Sequence, residues 1–306
     1  MATALAYFDL QVNGYGGIDF NQDELSAEQL HQACQKLHAD GVAGILATII
    51  TEHLDVMCRR LARLVELRGR DDLAKKLIAG IHIEGPFLNE TTGYRGAHPA
   101  DAIMPADGES CRRLLDAAQG LTRVFTLAPE RDAGLNVTSL LAKQNITVAA
   151  GHSDASLDEL RAAADAGLRM FTHVGNGCPM QMHRHDNIIQ RALGMCEQLT
   201  LCFIADGVHV PFFALKNYLR CAGVENCAVV TDGIAPAGMG PGRYKLGRWD
   251  LMIGQDMVAR APDGSHFVGA AITMQQTHRN LREKLGLTDA ECQTLLVTNP
   301  RRLARF

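Results

Sequence analysis

Short apolar runs rich in β-branched residues alternate with segments of helical periodicity along almost the whole chain. The runs read "ALAYFDLQV" at 4–12, "VAGILATII" at 42–50, "LIAGIHIEG" at 77–85 and "RVFTLAPE" at 123–130. They continue as "ITVAAGHS" at 146–153, "MFTHVGN" at 170–176, "LTLCFIADG" at 199–207 and "CAVVTDG" at 227–233. Nearly continuous apolar character marks strands buried on both faces, as in a parallel sheet. Between them, 54–69 carries a helical pattern, and 156–167 opens on Ser156 with Glu159 at capping-box spacing and closes on Gly167. A further helix is expected over 184–195, where the pattern is weakest. Eight strand–helix units predict a (β/α)8 barrel. A doubly wound sheet would need a G-x-G-x-x-G turn after the first strand, and "QVNGYGGIDF" lacks that spacing.

In such a barrel the reacting groups lie at the C-terminal strand ends. Here those ends carry Gln11 and Asn13, Thr48, Glu84, Glu130, His152, His173, Asp206 with His209, and Asp232. Glu84 closes an apolar run in "GIHIEGPFLNETTGYRGAHP", and His98 follows fourteen residues later. A buried carboxylate without a partner costs several kcal/mol. A cation, a hydrogen-bond network or a metal ion would each compensate it. The convergence of Glu84, His152, His173 and Asp232 on one mouth favours one divalent metal held by Glu84, His152 and His173. Nitrogen and oxygen donors suit zinc, and iron or another late divalent ion would also fit.

The 306 residues fit one barrel domain, 1–306, with a strand-rich insertion at about 234–269 that includes the hairpin signal "PDGS". The formal net charge of −4 with no basic cluster argues against a nucleic-acid partner. The N-terminus lacks a basic signal region, and no apolar run approaches the roughly 20 residues of a membrane span. A cytoplasmic protein without a membrane partner is expected. Nine cysteines without a C-x-x-C pair read as reduced small hydrophobes, with Cys178 as a minor candidate nucleophile.

With these motifs in order, the sequence resembles the N-acetylglucosamine-6-phosphate deacetylases of the amidohydrolase superfamily. The matching stretches are "DLQVNGYGGIDF", "GIHIEGPFLNETTGYRGAHP", "LAPE", "GHSDAS", "THVGN", "IADGVHV", "VTDGIAPAG", "GAAITM" and "TNPRRLARF". The resemblance implies Glu84, His152 and His173 as metal ligands, Asp232 as the acid–base carboxylate and His98 as the group holding the amide carbonyl. It implies phosphate binding by Asn176, Gly177 and His209. Arg184 in "MQMHRHDN" would join them across a homodimer interface. His183 and His185 beside it offer a candidate second metal pair. Related amidohydrolases hold a second metal with H-x-H on strand one; Gln11 and Asn13 stand there in this chain, so a single metal is expected. The accessory β-sandwich that family members commonly carry is expected to be missing. The activity implied is hydrolysis of the acetamido group of N-acetylglucosamine 6-phosphate, a small amino sugar phosphate. Another N-acyl or cyclic amide substrate remains open, as does a catalytically silent sugar-phosphate-binding barrel.

Overall fold

The computed structural model describes residues 6–255, 258–260 and 267–306. Eight parallel strands run β1 (Tyr7–Val12), β2 (Val42–Ile50), β3 (Ile78–Glu84), β4 (Thr122–Leu127), β5 (Thr147–Ala150), β6 (Leu168–Phe171), β7 (Thr200–Ile204) and β8 (Cys227–Val230). They pair in sequence order with helices between them, as expected for a (β/α)8 barrel. The seam between β1 and β8 is closed differently from the others. Val12 bridges Gly233, and the Asp9 carboxylate accepts from the Thr231 amide at 3.2 Å and from its hydroxyl at 2.5 Å.

Two apolar layers hold the barrel. Phe8, Leu10, Leu46, Val124, Met170 and Val230 form one cluster, and Leu30, Leu61, Leu114, Leu141 and Leu215 pack on Ile45, Ile81 and Phe203 in the other. Truncating one inner residue, as in Leu46→Ala, would cost about 2–5 kcal/mol. The helix Leu157–Ala166 carries the expected reciprocal cap, Ser156 with Glu159, and stops at Gly167 with φ 119°. The helix expected over 184–195 is shorter, spanning Ile188–Leu193. Asn187 caps it through the Gln190 amide, and the Asp186 amide donates to His183 Nδ1 at 2.8 Å, which keeps 184–187 in a turn.

The insertion forms a three-stranded antiparallel sheet of β9 (Gly242–Leu246), β10 (Trp249–Ile253) and β11 (Ala259–Arg260). The "PDGS" hairpin signal lies outside the described residues. Arg248 ties the β9–β10 turn to the mouth, donating to Glu52 and, at 3.0 and 3.1 Å, to Asp101. Among the described residues no helix is long and apolar enough to cross a membrane.

Candidate active site

Glu84, at the end of β3, is buried, and its Oε1 lies 2.9 Å from His173 Nε2 and 3.4 Å from His152 Nε2. His98, from the loop after β3, brings its Nε2 to 3.2 Å from His152 Nε2. Donor atoms of Glu84, His98 and His152 all fall within 4.8 Å of one another, the one such group among the described residues. The structure thus draws His98, expected to hold a carbonyl, into the donor cluster; His173 reaches that cluster through Glu84.

The orientation of His152 decides what this cluster can bind. Its Nδ1 lies 2.8 Å from the Tyr94 carbonyl, which only accepts, so Nδ1 carries a proton and Nε2 faces Glu84 and His98. Two glycines make room for the ring. A Cβ on Gly96 would stand 3.0 Å from its Cε1, and one on Gly177 would stand 2.7 Å from its Nδ1; both have positive φ. Three site residues also sit in the left-handed region, His152 at φ 51°, His173 at φ 29° and Asp232 at φ 50°. Such backbones cost about 1–3 kcal/mol each and persist where the surroundings impose them. Ligand atoms about 2.0–2.1 Å from a tetrahedral ion lie roughly 3.3 Å apart. The 2.9–3.4 Å separations and the mixed nitrogen and oxygen donors therefore fit a late divalent metal.

Gln11 links this cluster to Asp232. Its amide nitrogen lies 3.1 Å from each Glu84 oxygen and 3.0 Å from Asp232 Oδ1, and Asn13 Nδ2 donates to the same Oδ1 at 2.8 Å. The Thr172 hydroxyl donates to Gln11 Oε1 at 2.7 Å. Burial would raise Glu84, but its bonds to His152 and His173 hold the carboxyl well below its usual range. Burial, with the neighbouring Glu84 charge, pushes Asp232 up to about 6, the region suited to proton transfer near neutrality. Burial pulls His98 down to about 3, so it enters the site neutral.

The remaining candidates divide. Asn176 lines the same cavity as Glu84, His98, His152 and Asp232, as do Leu246 and Phe267. The Asn176 amide is already taken by the His173 carbonyl at 2.9 Å. Its pairing leaves the adjacent Gly177 amide as the better anion donor of the two. His209 is oriented by Asp206, 2.6 Å from its Nδ1, and its buried Nε2 has no partner among the described residues. Arg184 is exposed and does not line the cavity of its own chain. His183 is occupied as a turn acceptor, and the rings of His183 and His185 stand 6.4 Å apart on the surface. Glu130 braces the loop beyond His152, accepting from Asn89, Ser153 and the Asp154 amide. Thr48 pins β1 by accepting the Val12 amide. The Cys178 thiol is pushed up to about 11 by burial, which disfavours a nucleophile. The linking role of Gln11 was not visible in sequence beyond its place at a strand end.

No family model matches the chain. N-acetylgalactosamine-6-phosphate deacetylase of Escherichia coli O157:H7 is 30% identical over 97% of this chain and 77% of its own length. N-acetylglucosamine-6-phosphate deacetylase of Danio rerio is 30% identical over 93% of this chain and 71% of its own. Among solved structures, a substituted N-acetyl-D-glucosamine-6-phosphate deacetylase from Mycobacterium smegmatis, in complex with N-acetyl-D-glucosamine-6-phosphate, superimposes with a TM-score of 0.88. It is 29% identical, covering 99% of this chain and 78% of that one. With barrel, mouth and length matched together, the chain belongs to the N-acetylglucosamine-6-phosphate deacetylase family.

Proposed function

We propose that the protein hydrolyses N-acetylglucosamine 6-phosphate to glucosamine 6-phosphate and acetate, with Asp232 as the acid–base group. The observation that carries this reading is the placement of Asp232 and the Glu84, His98 and His152 donors on one cavity, with Asp232 raised to about 6 by burial. Glu84, His152 and His173 would hold one divalent ion, with zinc the best match to the donors and His98 beside them. When bound, such an ion polarises a carbonyl and lowers the pKa of a water. Asp232 takes the proton of the attacking water and then gives it to the departing amine nitrogen as the C–N bond breaks. His98 holds the acetyl carbonyl oxygen as charge gathers on it.

His209 Nε2 and the Gly177 amide receive the phosphate, since a buried unpaired nitrogen and a backbone amide both suit anionic oxygens. Arg184 serves the site of a second copy in a homodimer; its exposure, with Met180 fully exposed in the same loop, supports that placement. A phosphorylated sugar does not cross a bilayer unaided, in keeping with a cytoplasmic enzyme. The cavity spans about 40 Å³, far below the roughly 300 Å³ of a small-ligand site, so the substrate would widen it on entry. A second reading, the galactosamine epimer as substrate, is favoured by the 30% identity to the Escherichia coli enzyme. Acetate release from N-acetylglucosamine 6-phosphate, its galactosamine epimer and unphosphorylated N-acetylglucosamine decides between them. Highest kcat/KM on the first is expected; preference for the second would select the epimer, and no release from any would support a silent barrel.

A further inference from the structure

We infer that Gln11 and Thr172 form a positioning pair that assigns the two oxygens of Asp232 different tasks, an inference that rests on Asp232 being the acid–base group. The Thr172 hydroxyl donates to Gln11 Oε1 at 2.7 Å. The Glu84 carboxylate on the other side of the amide only accepts, so the Gln11 NH2 points into the mouth and its Oε1 is left to accept from Thr172. That NH2 has two hydrogens. One spans both oxygens of Glu84 at 3.1 Å and the other reaches Asp232 Oδ1 at 3.0 Å. Asn13 Nδ2 takes the same Oδ1 at 2.8 Å. No hydrogen bond from the described residues reaches Asp232 Oδ2, while Asp232 lines the cavity.

Two amide donors on Oδ1 lower its basicity and fix the carboxyl plane, so Oδ2 carries the proton. The pair also separates two buried carboxylates that would otherwise repel, by placing a neutral donor between them. Gln11 is fully buried and Thr172 is fully buried, and every polar atom of the Gln11 side chain is used. A side chain retained only to fill space would have no need of such saturation. Neither residue touches substrate in this account; they are positioning residues.

The test uses the metal-loaded enzyme and steady-state kinetics on N-acetylglucosamine 6-phosphate. Gln11→Met keeps length and removes the donor; kcat is expected to fall about 10- to 100-fold with KM within about twofold, the loss of one charge-assisted bond. Thr172→Val releases the amide orientation with little change of shape, and its kcat should fall about 3- to 30-fold; Thr172→Ser, which keeps the hydroxyl, should recover most of that loss. In an Asp232→Asn background, Gln11→Met should lower the residual rate no further, because the group it positions is already disabled. Equal changes in kcat and KM, full activity of both Gln11→Met and Thr172→Val, or additive losses in the Asp232→Asn background would overturn the inference. A fully active Asp232→Asn enzyme would instead overturn the reading beneath it, which keeps the two failures distinct.

Discussion

Two sides of the barrel mouth differ in how their polar atoms are occupied. On one side Glu84, Gln11, Asn13, Thr172, His173 and Asp232 are joined by hydrogen bonds between 2.7 and 3.1 Å. On the other, His209 Nε2 has no partner among the described residues, Asp206 holds the ring in place, and Arg184 stands in solvent. The first side is largely paired within the fold: Gln11 bridges its two buried carboxylates and Asn13 donates to one of them, while Asn13 Oδ1 and His173 Nδ1 find no partner among the described residues. The second keeps donors unspent. A buried nitrogen of this kind suits an anionic oxygen, which under the proposed function would be the phosphate's.

If this contrast is right, the largest effect belongs to the bridged side. Asp232→Asn nearly preserves shape but cannot accept a proton, so turnover should fall at least about a hundredfold while melting temperature and metal content hold. Near-normal turnover, or joint loss of metal and stability, would place Asp232 in a structural role. His209→Ala should act on recognition instead. It is expected to raise KM for the phosphorylated sugar about 10- to 100-fold, and to leave the unphosphorylated analogue nearly unchanged. Equal losses on both substrates would erase the distinction between the two sides.

Arg184→Ala should show a weaker form of the same pattern, a rise in KM of about threefold to tenfold. The rise should be measurable only at protein concentrations where size-exclusion chromatography reports a dimer. An effect that persists in the monomer would mean that Arg184 folds back onto its own site. The smallest effect lies at the β1–β8 seam, away from both sides. Burial pushes Asp9 up to about 7, above its ordinary value of 3.8. Its contribution to stability is therefore full below the unfolded value and declines as pH rises through 7. Asp9→Asn removes this dependence. The variant's melting temperature relative to the parent should rise by a few degrees from pH 5 to pH 8, and a gap that does not change with pH would show that Asp9 does not titrate there.

How much of this could be read from the sequence followed physical lines. Strands buried on both faces leave uninterrupted apolar runs, so β2 stands where "VAGILATII" lies, and the Ser156 cap with Gly167 marked its helix at both ends. The gathering of Glu84, His152 and His173 was legible because each sits at or just beyond a strand end and the barrel brings those ends together, although the close donor group is Glu84, His98 and His152. Gln11 was not, since its role depends on Thr172 and Asp232, 161 and 221 residues away, and a glutamine carries no chemistry that betrays such partners. The entry of His98 into the donor cluster depends on how a loop folds back, and loop paths leave no periodicity to read. The early start expected for the 184–195 helix failed because side chains of His183 and Asn187 bind local backbone amides, competing with helix formation.

The central claim is that the carboxylate at the end of β3 is compensated by one divalent ion. Its most direct test is elemental analysis of protein reconstituted with zinc or iron and then dialysed, with His152→Ala alongside. About one equivalent per chain is expected, most of it lost in His152→Ala with the fold intact by circular dichroism. Two tight equivalents per chain, or full occupancy without His152, would contradict the account.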